Sequence, residues 1–149
     1  MGQFVQRDSA SGSGRGLVIT HLVDTSVLTR GRVPVVIEAL KKLGTARCVM
    51  TDFEIGFSAS NANEWDALQR GLTIHPLVPI GLPEFQRALA VQRMLADKGL
   101  KGRKIPDLLI AAAAEHAGLT VLHYDRDFEL ISSATGQANE WIVERGSID

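Results

Sequence analysis

Short apolar runs rich in β-branched residues alternate with longer stretches of helical periodicity along most of this 149-residue chain, and that alternation leaves few folds open. Residues 18–23 (VITHLV) have the composition of a strand buried on both faces. Residues 34–43 place Val36, Ile37, Leu40 and Leu43 on one helical face, with Gly44 as a stop. Residues 47–50 are a second strand candidate, and residues 54–72 a helix interrupted around Asn61, Ala62 and Asn63. Residues 73–78 (TIHPLV) read as a third strand, at an edge because Pro76 has no N–H to give a ladder. Residues 83–98 carry Phe85, Ala88, Leu89, Gln92 and Leu95 at helical spacing, and residues 107–117 form an Ala-rich apolar helix stopped by Gly118. Residues 119–124 (LTVLHY) are a fourth strand and residues 141–144 a fifth. Strands separated by helices of about 10–15 residues predict an α/β fold, a three-layer α/β/α sandwich on a mostly parallel central sheet.

Residues 1–17 are rich in Gly and Ser and have no period, so they read as a flexible arm, leaving residues 18–149 as one domain. With 45% apolar and 22% charged residues, the composition argues against wholesale disorder. The single Cys48 excludes an intramolecular disulfide framework and any multi-Cys zinc cluster. No apolar run approaches the ~18 residues of a membrane span. The chain also lacks a charged-then-apolar opening, so no membrane partner and a cytoplasmic location are expected. Taken as a total, 16 basic against 17 acidic residues would also argue against a nucleic-acid partner.

The positions of the acids reverse that last inference. Asp24 ends the first strand (LVDTSVL), Asp125 and Asp127 follow the fourth (LHYDRDF), Glu54 stands near a helix start (TDFEIG), and Asp107 opens the apolar helix (KIPDLLIAAAA). Sites in open parallel sheets form beyond the carboxyl ends of the strands, where these acids would converge. Singly, each has an ordinary structural explanation. Thr51-x-x-Glu54 fits a capping box, Asp107 and Asp24 fit helix starts, and Asp125-Arg126-Asp127 fits a solvated turn. Together they bring like charges to one rim, which proteins rarely do without a cation. An all-carboxylate set, here Asp24, Asp107, Asp125 and Asp127 with Glu54 alongside, suits a hard ion such as Mg²⁺, with Mn²⁺ as the alternative. Such sites serve phosphate-ester hydrolysis. Lys98, Lys101, Arg103 and Lys104 crowd the approach to Asp107, where they would contact the flanking phosphates of a polymer.

Other candidates carry less. His21, His75, His116 and His123 have no ligand spacing with one another; His21 and His123 read as packing or edge residues. Cys48 reads as a small buried strand residue, and Trp65, Leu68 and Leu72 as core ahead of an exposed groove.

The segments LVDTSVL, TDFEIGFSA and RKIPDLLIAAAAEHAGLTVLHYDRDF, in this order and followed by a short closing strand, resemble the PIN-domain family of metal-dependent ribonucleases, in particular the VapC-type toxins of bacterial toxin–antitoxin pairs. The resemblance spans residues 18–144. It implies an acidic site made of Asp24, Glu54, Asp107 and one or both of Asp125 and Asp127, with Ser26 orienting a carboxylate or water. Thr51 and Arg103 match flanking positions that support the site or touch RNA; Lys101 and Lys104 are assigned to substrate from their place in the basic run before Asp107 and not from the resemblance. It further implies in-line attack on RNA by metal-activated water, homodimerisation, and inhibition by a cognate antitoxin seated beside the site. Two other readings stay open at this stage: a PIN-like module that binds RNA or protein without cutting, and a phosphatase with Asp24 as nucleophile. The second is weakened by Ser26, where that class needs another Asp.

Overall fold

The computed structural model describes residues 16–100 and 103–149. Most of the expected arm (residues 1–15) and Lys101 lie outside the described residues, while Gly16 and Leu17 are exposed and irregular. Among the described residues the order is β1 (Ile19–Val23), α1 (Thr25–Leu28), α2 (Pro34–Lys41), β2 (Gly44–Ala46), α3 (Val49–Phe57), α4 (Ala62–Leu72), α5 (Leu82–Asp97), α6 (Ile105–Ala117), β3 (Thr120–His123), α7 (Asp127–Thr135) and β4 (Asn139–Trp141). The strands form one sheet in the order β2-β1-β3-β4, and every pairing is parallel. All strand C-termini therefore point to one rim.

Apolar side chains from both faces of the sheet define two cores. Leu22 and Val121 join Leu95, Ile110, Ala113, Phe128 and Ile131 on the side of α5, α6 and α7. Val23 and Leu122, the next residues along, join Val27, Val36, Tyr124 and Ile142 on the other. Successive strand residues point to opposite faces, so this split is the expected three-layer sandwich. Ala111 to Ala114 are all buried, and such small side chains let α6 lie close to the sheet. Its end is set by Gly118, whose φ of 71° suits a residue without a Cβ, and Leu119 N–H reaches back 2.9 Å to the Ala114 carbonyl. Gly44 is required for another reason: a Cβ there would stand 2.1 Å from the Val18 carbonyl oxygen, inside the β1–β2 contact.

Several local expectations are corrected. The second strand ends at Ala46, one residue before the expected segment begins, and Cys48 is the buried residue that caps α3 rather than part of a strand. Residues 73–78 form no strand beyond a single bridge between Arg47 and Leu77, so the sheet has four members where five were expected. Arg47 is where the two segments meet. It is buried, pairs with Asp52 at 2.7 Å and donates from Nη1 to the carbonyls of Leu72 and His75, while its backbone N–H and carbonyl bond Pro76 and Val78 in that single bridge. The interruption expected near Asn61 is present and divides the segment into α3 and α4, with Asn61 capping the second by accepting from Glu64 N–H at 2.9 Å, although the first helix starts earlier, at Val49. On α5 the inward face is Glu84, Ala88, Val91 and Leu95, while Phe85 and Leu89 point outward. Trp65 is 48% exposed rather than core, lying along α3 beside Gly56, whereas Leu72 is buried as expected. The closing strand is Asn139–Trp141.

Candidate metal and phosphate site

The rim brings the acids together through backbone that the sheet itself orders. Asp24 follows β1, where its N–H donates 2.8 Å to the Leu122 carbonyl of β3, and it caps α1 by accepting from Ser26 N–H at 2.9 Å. Asp107 lies in the first turn of α6, which the Pro106 ring helps to start. Asp125 follows β3, and its Oδ1 accepts from Asp127 N–H at 2.9 Å. Carboxylate oxygens of Asp107, Asp125 and Asp127 all lie within 4.8 Å of one another. Asp24, Glu54, Asp107 and Asp125 line a single open cleft of about 600 Å³ together with Lys104; Asp127 belongs to the cluster but not to the cleft lining.

The electrostatics are unfavourable as they stand. Asp24 and Asp107 are 2% and 3% exposed, and Asp24 Oδ1 and Asp107 Oδ2 have no hydrogen-bond partner. Burial pushes the Asp107 carboxyl up to about 8, the Asp24 charge adds to the rise, and Lys104 opposes it. Burial likewise raises Asp24, with hydrogen bonds from Ser26 pulling back and the Asp125 charge adding to the rise. Lys104 Nζ stands 3.9 Å from Asp107 and 3.5 Å from Asp125, but its side chain is mostly exposed and does not neutralise the cluster. Buried carboxylate oxygens without donors, in an all-oxygen set, fit a hard divalent cation.

Supporting contacts extend from each acid. Ser26 Oγ accepts from Tyr124 N–H at 2.9 Å, tying the turn after β1 to the end of β3. Glu54 accepts from the Thr25 hydroxyl at 2.8 Å, and that hydroxyl also shares a hydrogen bond with Thr51. Burial raises the Glu54 carboxyl, against the pull of Thr25. The capping box weighed as the ordinary explanation of Thr51 and Glu54 does not form: Thr51 is fully buried inside α3, and its N–H donates to the Cys48 carbonyl. Arg103 pairs with Asp127 at 2.7 Å. Lys98, expected beside the acids, instead donates to the Ser133 carbonyl near the end of α7. His123 is fully buried, and its burial favours the neutral ring. That ring bonds Asn139 through Nε2 and accepts from Asp125 N–H through Nδ1 at 3.1 Å, so it helps to orient the loop carrying Asp125.

The far wall of the cleft was missed from sequence. Arg30, Tyr124, Arg126, Trp141, Arg145 and Asp149 line it. The interleaving of basic and aromatic residues in YDRDF and WIVER was the available signal.

The PIN domain family profile matches residues 21–133. The chain is 47% identical to Ribonuclease VapC51 of Mycobacterium tuberculosis strain H37Rv over 137 residues, covering 89% of this chain and all of that protein. It is 40% identical to Ribonuclease VapC21 of the same organism over 134 residues, covering 85% of this chain and 96% of the relative. Among solved structures it resembles the DNA-bound VapBC complex from Salmonella typhimurium with a TM-score of 0.70 at 16% identity, over 85% of this chain and 100% of that one. VapBC-5 from Mycobacterium tuberculosis, described as a member of the VapBC family of toxin–antitoxin systems, gives 0.61 at 22% identity, over 82% and 96%.

Proposed function

The chain belongs to the PIN-domain family, with VapC ribonucleases among its relatives, and from that premise we propose that it is an endoribonuclease toxin that hydrolyses RNA with Mg²⁺ and is silenced by a cognate antitoxin. The observation that carries this reading is the pair of buried oxygens, Asp24 Oδ1 and Asp107 Oδ2, left without donors at the floor of an open cleft. Asp24, Asp107 and Asp125 would hold the ion, which when bound supplies charge to stabilise the phosphoryl group and lower the pKa of water. Ser26 N–H fixes the Asp24 rotamer, and Asp127 N–H fixes Asp125. Asp127 is a positioning residue: its carboxylate holds Arg103 rather than an orphaned site. Thr25 and Thr51 hold Glu54 toward the cleft, where its raised pKa suits the exchange of a proton with substrate or water. Lys104 stands ready for a substrate phosphate.

Two apolar surfaces support the partners. Met50, Phe53, Phe57 and Pro106 line a pocket of about 320 Å³ that shares Glu54 with the acid cleft, suiting an antitoxin segment laid across both. Leu82, Phe85 and Leu89 form an exposed stripe on α5 that suits a second copy of the chain. No helix among the described residues is long and apolar enough to cross a membrane, and the reading places the protein in the cytoplasm with its RNA.

Purified protein incubated with RNA should cleave it with Mg²⁺, and stop on addition of a chelator. Cleavage that persists in chelator would overturn the metal-dependent reading. RNA binding without cleavage in any divalent ion would favour the non-cutting module.

A further inference from the structure

Arg30 is held in place without help from its ion-pair partner. Its Nη1 donates to the Ser26 carbonyl at 2.8 Å, and its guanidinium lies over the Tyr124 ring, 4.6 Å from the centroid. The remaining edge, Nε and Nη2, converges on one oxygen, Asp149 Oδ2, and Arg30 and Asp149 both line the cleft. An arginine edge matches an anion that offers an oxygen to each N–H, as a phosphate does. The carboxylate present uses a two-donor edge through one atom, in an ion pair with the Asp149 side chain half exposed, an arrangement of small stability. The surrounding wall favours the same ligand. Arg145 lies over Trp141, 5.6 Å from its centroid, Trp141 meets Tyr124 edge-on at 5.3 Å, and Arg126 lines the same cleft. The Tyr124 hydroxyl accepts from Gly146 N–H at 2.9 Å, which fastens the segment that brings Asp149 to Arg30.

Resting on the ribonuclease reading, we propose that Arg30 binds a backbone phosphate of the RNA strand next to the scissile linkage, and that the Asp149 carboxylate is a built-in competitor displaced when the strand arrives. The link to the acids is short in sequence and in space: Asp24 accepts from Ser26 N–H, and the Ser26 carbonyl anchors Arg30. A strand with one phosphate over the acids would run along this arginine wall.

The test is binding of a fluorescein-labelled, mixed-sequence single-stranded RNA, followed by anisotropy over a range of salt, with every variant made in an Asp107→Asn chain so that the strand stays intact. Arg30→Ala should weaken binding about 10-fold and lower the slope of log K against log salt by about 0.7, the value for one lost phosphate contact on a single strand. Arg30→Lys should keep most of the slope while losing part of the affinity. Asp149→Asn should tighten binding about 2–5-fold, and this gain should disappear in the Arg30→Ala background. Thermal melts of each variant separate a folding defect from a binding one. Unchanged affinity and slope for folded Arg30→Ala overturns the phosphate assignment, and an Asp149→Asn gain that survives loss of Arg30 overturns the competitor. A parent chain that binds no RNA contradicts the ribonuclease reading itself, and this inference with it.

Discussion

Arg103 Nη1 lies 2.7 Å from Asp127 Oδ1, with both side chains less than one-fifth exposed, so one member of the acid cluster already has its cation. Asp24 Oδ1 and Asp107 Oδ2 have no hydrogen-bond donor, and the nearest cation to the latter is the mostly exposed Lys104, at 3.9 Å. On the proposed reading Asp24 and Asp107 hold the ion, while Asp127, whose carboxylate also lies within 4.8 Å of those of Asp107 and Asp125, is shared with Arg103. That difference predicts unequal consequences of the same chemical change. Asp107→Asn and Asp24→Asn should each lower the cleavage rate by at least ~100-fold, on the scale of losing charge stabilisation at the reacting phosphate. Asp127→Asn should cost about 10–100-fold, as supporting partners of metal ligands do, and should weaken Mg²⁺ binding in calorimetry. Equal losses at all three positions would contradict the distinction.

The acid cluster should make the metal-free protein less stable as pH rises. Asp107 has its carboxyl pushed from 3.8 to about 8, chiefly by burial. A carboxyl with a folded pKa above its unfolded one favours folding fully at pH below about 4, and that contribution is lost progressively as pH climbs to about 8. Melting temperature without metal should therefore fall across this window, the fall should be smaller in Asp107→Asn, and Mg²⁺ should reverse it. Mg²⁺ affinity should rise with pH over the same range, with protons released on binding. Calorimetry in buffers of different ionisation enthalpy measures that release.

Stability should depend strongly on Arg47, which is buried, paired with Asp52, and bonded through Nη1 to the Leu72 and His75 carbonyls. Removing one member of such a pair leaves the other charge and two carbonyls without their donor. Arg47→Ala should cost about 3–5 kcal/mol in urea unfolding. A loss below ~1 kcal/mol would mean that water replaces these contacts freely.

Phe57 is 93% exposed in the free chain, beside Phe53 and Pro106 in the pocket that adjoins Glu54. If an antitoxin segment fills that pocket, Phe57→Ala should weaken antitoxin binding by about 2 kcal/mol, close to 30-fold, in a titration of the purified partner. No change would place the antitoxin elsewhere.

Much of the fold was legible because the alternation of buried strands and helices is repeated along the chain, and β1, β3, α2, α5 and α6 carry it strongly. The errors fall where a short segment obeys its tertiary neighbours. Arg47 sits in a strand-like sequence, yet its side chain pairs with Asp52 on α3 and its backbone makes only one bridge, to Leu77, so β2 ends at Ala46 and α3 begins at Val49. Of the α5 face read from spacing, Ala88 and Leu95 are buried as expected, but Phe85 and Leu89 turn outward because Glu84 and Val91 complete the face that meets the core. The acids were visible because strand ends and helix starts can be read from sequence. The Arg30 wall was not, because it depends on Tyr124 and Asp149, which are remote from Arg30 in the chain.

Sequencing of RNA 5′ ends after induced expression tests the proposed metal centre of Asp24, Asp107 and Asp125 in an RNA-cleaving toxin. The wild-type chain should produce new 5′-phosphate ends at defined positions in one RNA class, and Asp107→Asn, expressed at the same level, should produce none. The same ends appearing with Asp107→Asn would contradict the account.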